Sequence, residues 1–246
     1  LGNWECVILD DGSRDETFAI ATGFSKSDPR FRVVRHPPRG LVDTLIDGIR
    51  LCEGPLIARM DADDCMHPER LARQSEMMEK HPTLSGAGCH VRLFPRHGLR
   101  PGRLAYETWL NTMTTPEDIA REVFIECPVA HPTLMLRSSV LSELSYRSAG
   151  WAEDYDLVIR ALADGHRLGI VNRPLLAWRD SPGRLSRTHP DYSLDRFIAA
   201  RAFAITRLFL AGNEDYTLWG YGPTGRKLAA ALRRRGHRLS GIIEVN

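Results

Sequence analysis

The sequence predicts an α/β protein, a mostly parallel sheet with helices on both faces, followed by a short β-α-β unit at the carboxyl end. Three observations predict it. Short apolar runs alternate with helical stretches, the first runs end in acidic loops, and a strand, glycine turn, helix and strand close the chain. A length of 246 residues accommodates one large domain and part of a second. Hydrophobic residues make up 43% and charged residues 26%, which excludes disordered, collagenous and coiled-coil classes. Lys and Arg number 33 against 31 Asp and Glu, a net charge of +2. That balance is too near neutral for a general nucleic-acid binder, although it accommodates a local phosphate site.

The elements follow in order. Glu5-Cys6-Val7-Ile8-Leu9 is an apolar run stopped by Asp10-Asp11-Gly12-Ser13, as when a buried parallel strand ends in a loop. Residues 15–24 read as a helix and residues 31–35 as a strand. After Pro37-Pro38-Arg39-Gly40, Leu41, Leu45, Ile49 and Cys52 recur at helical spacing toward Gly54. Leu56-Ile57-Ala58-Arg59-Met60 is the next strand and also ends in acid. Ligands of parallel α/β sheets gather beyond the carboxyl ends of the strands, so two successive strands are expected to deliver aspartates to one edge. Pro68 suits a first helical turn, and the helix continues over residues 69–80. Residues 84–94 read as a strand pair or a strand and turn, and residues 95–116 as a loop. Tyr155, Val158, Ile159 and Leu162 form a helical stripe ending near Gly165. Strands at 167–171 and 175–179 flank a proline turn, and a long amphipathic helix over 191–211 completes a first domain, residues 1–212.

Five cysteines without a C-x-x-C pair read as reduced thiols and point to a cytoplasmic compartment. The chain opens on Leu1 without a basic and apolar leader, and it reads as a piece cut from something longer. Its most apolar tract, residues 197–211, is interrupted by Arg201 and Arg207 and falls short of the ~20 residues that span a bilayer. No transmembrane segment is expected, and peripheral association with the inner face of a membrane stays open.

Met60-Asp61-Ala62-Asp63-Asp64 places three carboxylates at the mouth of a strand. Such crowding raises carboxylate pKa values unless a cation neutralises it. An oxygen-only cluster suits Mg²⁺ or Mn²⁺, held by one or two carboxylates together with substrate phosphates and water. The plainer alternative is that Asp63 or Asp64 caps the following helix and the others are solvated. Gly150-Trp151-Ala152-Glu153-Asp154-Tyr155-Asp156-Leu157 opens the striped helix with acids. Interaction with the helix dipole, worth about 0.3–1 kcal/mol each, explains them without any chemistry.

Taken together, Trp4 to Ser13, Gly40-Leu41, Gly54 to Asp64, and His67-Pro68-Glu69-Arg70-Leu71 with Gln74 resemble the family 2 glycosyltransferases of the GT-A fold. These are nucleotide-sugar-dependent inverting enzymes that build bacterial polysaccharides. The likeness is collinear over about residues 4–189 and poorest over 95–116. It implies a UDP- or other NDP-sugar donor, a glycan or lipid-linked hydroxyl acceptor, and Mg²⁺ or Mn²⁺. It implies that Asp11 contacts the nucleobase, with Asp10 setting the loop, that Asp61 reaches the ribose or a metal-bound water, and that Asp63 binds the ion bridging the diphosphate. Bound cation offsets charge that grows on the diphosphate as the glycosidic bond breaks. Asp154 stands where the family has its general base, which takes the acceptor proton as that oxygen attacks the anomeric carbon from the opposite side. Glu153 then orients the loop or acceptor. Cys127 to Arg137 resembles the strand lining the acceptor side, where His131 is a partner for acceptor or phosphate, or else a structural histidine between prolines. Ser181 to Arg187 is either a mobile loop offering Arg184 to the diphosphate or a solvated basic loop. Two departures stand out. The family's opening strand and Pro-x-Tyr-Asn-like loop have no counterpart here, and Ile46 stands where many relatives carry Asn.

The tail, Gly220-Tyr221-Gly222-Pro223-Thr224-Gly225, follows a short strand and opens a helix, with Glu244 after a second strand. This is a dinucleotide-binding fingerprint, with Gly220, Gly222, Gly225 and Glu244 as candidate nucleotide contacts. Pro223 removes one donor, and a tight turn with close helix packing explains the glycines equally. The tail resembles the first βαβ of Rossmann-like domains, including those of sugar acyltransferases, and predicts a partial second domain over 213–246. Arg226, Lys227, Arg233, Arg234 and Arg235 read as the solvated face of its helix. Two further functions fit an acidic α/β site. One is a nucleotidyltransferase, expected to carry a basic glycine-rich loop near its amino end, and the other is a non-catalytic nucleotide-sugar-binding module.

Overall fold

A computed structural model describes residues 3–244. Its elements, in chain order, begin with β1 (Cys6–Asp10), α1 (Thr17–Ser27), β2 (Phe31–Arg35), α2 (Leu41–Leu51), β3 (Leu56–Ala58), β4 (Cys65–Met66) and α3 (Arg70–Lys80). The middle of the chain supplies β5 (Gly86–Phe94), α4 (Pro101–Leu110), α5 (Pro116–Glu122), β6 (Met135–Arg137), α6 (Ser138–Leu144) and α7 (Glu153–Ala163). Then come β7 (Leu168–Arg179), α8 (Leu185–Thr188), α9 (Leu194–Ala204), β8 (Asp215–Trp219), α10 (Pro223–Arg233) and β9 (Arg238–Ile243).

The spine is the parallel ladder of β5 on β7, running from Gly86 opposite Leu168 to Phe94 opposite Arg179 with a bulge beside Pro174. The order across this five-stranded sheet is β3-β6-β5-β7-β4. The short β6 runs antiparallel to β3 and β5, and β4 antiparallel to β7. β1 pairs parallel with β2, and β8 with β9. Parallel ladders thus carry most of the pairing, as the sequence predicts. Side chains alternate along β7, with Ile170 entering a core with α7 and α9 and Val171 entering one with α4, so helices cover both faces. Gly86 sits where β5 meets β6. A Cβ there would lie 2.3 Å from Leu136 Cδ2 and 2.6 Å from Met135 O, so only glycine lets the strands approach.

Three boundaries differ from the sequence reading. Within residues 84–94 there is one long strand, β5 over Gly86–Phe94, because both of its faces are covered. The two strands expected over residues 167–179 are one strand, β7 over Leu168–Arg179, with the proline absorbed at its bulge. Residues 95–116, read as a loop, contain α4, which starts at Pro101 in the first turn. α4 is held by tertiary contacts, with Leu110 in the core and Glu107 accepting Leu93 N at 2.6 Å. α5 follows with a capping box in which Thr115 Oγ1 accepts Asp118 N at 3.1 Å. The predicted helix over 191–211 is α9 and a wider π turn over Ile205–Phe209. At the carboxyl end, α10 packs on α9 through Ile198, Ala202, Ala231 and Leu232.

One buried polar hub ties the strands together next to the acid loop. Arg70 and Gln74, one turn apart on α3, are fully buried. Arg70 Nε donates to Gln74 Oε1 at 3.0 Å and Arg70 Nη2 to Arg59 O at 2.9 Å. Gln74 Nε2 donates to Ala87 O at 2.7 Å and to Thr133 O at 2.8 Å. Replacing Gln74 by Leu strands Arg70 and two carbonyls in the interior, at a cost of about 3 kcal/mol. For a chain of this size, the melting temperature of Gln74→Leu is expected to fall by roughly 6–12 °C, measured by thermal denaturation; an unchanged value would show that the hub is dispensable.

Candidate active site

The acid loop is clamped from both sides. Upstream, Arg59 N donates to Leu134 O at 2.8 Å, which continues the pairing of β3. Downstream, β4 pairs with β7, Arg179 N donates to Asp64 Oδ1 at 2.7 Å, and Arg179 Nε to Asp63 O at 2.7 Å. One oxygen from each of Asp61, Asp63 and Asp64 lies within 4.8 Å of the others. Arg59 pairs with Asp61. Burial, reinforced by the Asp61 and Asp63 charges, pushes Asp64 up to about 6, and its Oδ2 is buried without a hydrogen-bond partner. An orphaned carboxylate oxygen within an all-oxygen cluster fits a hard divalent cation.

The second wall is the start of α7, whose three acids have three different fates. Asp156 is buried against two guanidiniums, Arg147 at 2.9 Å and Arg160 at 2.6 Å. Glu153 is buried in a chain of polar groups. Its Oε2 accepts Tyr192 Oη at 2.8 Å, its Oε1 faces His131 Nδ1 at 3.3 Å, and His131 Nε2 meets Tyr146 Oη at 2.7 Å. These partners place the proton of a neutral ring on Nδ1. Burial and the Arg59 charge lower His131, consistent with that neutral ring. Burial opposes ionisation of Glu153, and the His131 and Tyr192 contacts overcome it, holding the carboxyl below its usual range. Asp154 accepts Tyr155 N at 2.7 Å and has no side-chain partner among the described residues. Burial and the adjacent Glu153 charge push its carboxyl up. A raised carboxyl open to a cavity suits proton transfer near neutral pH.

Asp61, Asp63, Asp154, Glu153, His131 and Arg184 all line one cavity of about 390 Å³, the size of a small-molecule site. Other expected residues stand apart. Asp10 accepts Ser13 N at 3.1 Å and faces Arg35 Nε at 3.0 Å. Asp11 accepts Arg39 N at 2.8 Å and Gly40 N at 2.9 Å, directly before Leu41, which lines the cavity. Gly220, Gly222, Gly225 and Glu244 are not among the lining residues. A Cβ on Gly225 would lie 2.3 Å from Gly220 O, so tight packing of the turn requires that glycine.

The sequence reading missed Arg59, Arg103, Tyr106, Trp178, Arg187 and Tyr192, which also line the cavity. Arg59 directly precedes the acid loop and was readable there. Arg103 and Tyr106 lie on α4, whose signal was Pro101 at a helix start. Trp178 and Tyr192 carry no local signal, because only the packing of β7 and the segment before α9 brings them in.

Comparison with known proteins gives a consistent picture. Residues 1–144 match the model of Glycosyl transferase family 2. The chain is 29% identical to EpsE of Bacillus subtilis (strain 168) over 202 residues, 80% of this chain and 69% of EpsE. It is 31% identical to the amylovoran biosynthesis glycosyltransferase AmsE of Erwinia amylovora over 172 residues, 69% of this chain and 61% of AmsE. Among solved structures, S. aureus TarS 1–349 in complex with UDP-GlcNAc superposes with a TM-score of 0.65 at 17% identity, covering 94% of this chain and 63% of that one. The mannosyltransferase PcManGT from Pyrobaculum calidifontis, in complex with GDP-Man and Mn²⁺, gives a TM-score of 0.51 at 17% identity, covering 94% and 65%. The chain thus spans roughly two thirds of the length of these proteins, and at such identities the structural likeness speaks for the fold alone. The family match spans more than half of the chain and contains the whole acid loop, and the chain belongs to glycosyl transferase family 2.

Proposed function

We propose that this chain transfers a sugar from a nucleotide-sugar donor to a hydroxyl of a glycan or lipid-linked acceptor, with inversion and with the help of Mg²⁺ or Mn²⁺. The observation that carries the reading is that Asp61, Asp63 and Asp154 line the same cavity. The UDP-GlcNAc and GDP-Man bound to the structural neighbours, one of them with Mn²⁺, support the donor class and the metal. Asp61 and Asp63, with Asp64 beside them, would hold the ion. Bound there, it would stabilise negative charge growing on the departing diphosphate. Asp154 takes the proton from the acceptor hydroxyl as its oxygen bonds to the anomeric carbon. The bond from that carbon to the diphosphate breaks on the opposite side, its electron pair leaving with the nucleoside diphosphate. Glu153, fixed by Tyr192 and His131, keeps a negative charge beside Asp154 and so raises its basicity. Asp10 and Asp11 shape the donor-side loop through their backbone hydrogen bonds. We assign residues 1–212 to the transferase unit and 213–246 to a Rossmann-like segment whose glycine turn is a candidate nucleotide loop. Among the described residues no helix is long and apolar enough to cross a membrane.

Product analysis tests the reaction class. Acceptor-dependent release of nucleoside diphosphate is expected, whereas pyrophosphate release would mark a nucleotidyltransferase, and saturable binding without turnover a binding module. Asp154→Asn is expected to lower kcat by about 10²–10⁴ with little change in donor KM; steady-state kinetics showing a loss confined to KM would refute the assigned role. Asp63→Asn is expected to remove stimulation by Mg²⁺ or Mn²⁺, read from metal titrations of the rate. The pH profile follows from the sign of the Asp154 shift. The base works as carboxylate, so kcat/KM falls as pH drops through its raised pKa. Glu153→Gln removes the neighbouring charge, so the acidic limb should move to lower pH. A limb that stays put would mean that Glu153 does not tune Asp154.

A further inference from the structure

The cations of this chain are not spread evenly. Residues 95–104 carry Arg96, Arg100 and Arg103, residues 181–189 carry Arg184 and Arg187, and neither stretch holds an acid, although the whole chain has a net charge of only +2. The fold brings the two stretches together at the carboxyl ends of β5 and β7. Asp180 N donates to Phe94 O at 2.8 Å, and Arg103 Nε and Arg187 Nη2 both donate to the Asp180 carboxylate, at 3.1 and 2.7 Å. Arg103 and Arg184 lie over the same Trp178 ring, 5.9 and 4.2 Å from its centre. Arg96 pairs with Glu107 at 2.7 Å. Two carboxylates thus serve five guanidiniums, and Arg100 and Arg184 have no carboxylate partner among the described residues.

The surface beside these cations is uncharged. α4 buries Leu110 and packs Tyr106 and Trp109 on the core formed with β5 and β7, while the residues it exposes are Pro101, Gly102, Leu104, Ala105 and Thr108. Leu104 is 37% exposed, and Leu185, next to Arg184 in α8, is 47% exposed. Exposed leucines bordered by arginines suit the boundary of an anionic bilayer, where apolar side chains enter the headgroup region and guanidiniums meet lipid phosphates. Other occupants fit less well. A second copy would set the same cations face to face, and a polyanionic glycan would leave both leucines in water. α10 is also cationic, with Arg226, Arg233 and Arg234 exposed, but its Leu232 is buried in the packing on α9. The surface is continuous with the cavity, because Arg103, Arg184, Leu185 and Arg187 line the cavity as well.

We propose that α4 and the segment 181–189 form a docking surface for an anionic lipid bilayer. Docking there places the mouth of the cavity at the membrane.

Vesicle sedimentation of the full chain tests this, with liposomes of phosphatidylcholine alone and of phosphatidylcholine containing roughly one third phosphatidylglycerol. The anionic vesicles are expected to take up the chain tenfold or more better than the neutral ones, with the preference shrinking as NaCl rises. Arg100→Gln, at an exposed residue outside the cavity lining, is expected to lower that uptake about fivefold, and Leu104→Gln threefold or more. Arg226→Gln and Arg233→Gln on α10 are expected to stay within twofold of the parent chain. Equal uptake by both kinds of vesicle, or uptake by neither, would overturn the proposal. Unchanged uptake of Arg100→Gln and Leu104→Gln would do the same, as would a loss confined to the α10 variants, which would move the contact to the carboxyl-terminal unit. A chain that binds dextran sulfate but neither kind of vesicle would mark the surface as one for a polyanionic glycan instead. The assay contains no nucleotide, so failure of docking leaves the transfer reading intact, and failure to release nucleoside diphosphate leaves docking intact.

Discussion

The Arg70–Gln74 pair is the interaction on which the rest of this structure depends. A guanidinium without a carboxylate partner is costly to bury, so it persists only where its hydrogen bonds are supplied. Here they come from Gln74 Oε1 and Arg59 O, and Gln74 passes the connection to Ala87 O and Thr133 O. Four segments converge on two side chains: the end of β3, α3, β5 and the turn before β6. The acid loop begins immediately after Arg59, and His131 precedes Thr133 by two residues. The hub thereby fixes the start of the acid loop relative to the turn that carries His131, and neither of its side chains lines the cavity.

Charge is distributed across that cavity by partner supply rather than by residue type. Asp156 is neutralised by two guanidiniums and serves the packing of α7, whereas its neighbour Asp154 pairs with none among the described residues and is destabilised as an anion. Asp64 is destabilised in the same way by burial and by its neighbours in the loop. On the same cavity, Arg184 lacks a carboxylate partner among the described residues and Arg103 shares one with Arg187. Uncompensated groups of both signs in one enclosed space are the mark of a site shaped for charged ligands and proton transfer. The compensated groups, such as the trio around Asp156, mark the scaffold.

Periodicity and punctuation made most of the fold legible. β2, the start of α2 and the end of β1 follow from apolar runs, Gly40 and the acid stop, because these signals act within a few residues. α4 was legible only at its first turn, where Pro101 suits a helix start, since the stretch around it is polar and glycine-containing and the helix is stabilised by burying Leu110 and Trp109 against β5 and β7. β7 looked broken because Pro174 reads locally as a turn, yet the parallel ladder resumes past the bulge. Of the site, the acid loop and the Glu153-Asp154 pair were legible as motifs. The difference between Glu153, Asp154 and Asp156 was not, because it is set by Tyr192, His131, Arg147 and Arg160, of which all but Arg160 come from outside α7.

The sequence by itself determined the class of fold, the order of strands and helices through α3, and the residue types offered at the cavity. Those properties follow from local backbone preference and from where apolar residues recur, and both are written along the chain. Tertiary structure alone decided which carboxylates keep an unsatisfied charge, that α4 brings Arg103 and Tyr106 to the wall, and that Asp180 ties Arg103 to Arg187. The physical reason is that desolvation and charge pairing depend on neighbours brought from far along the chain, 77 positions apart for Arg103 and Asp180.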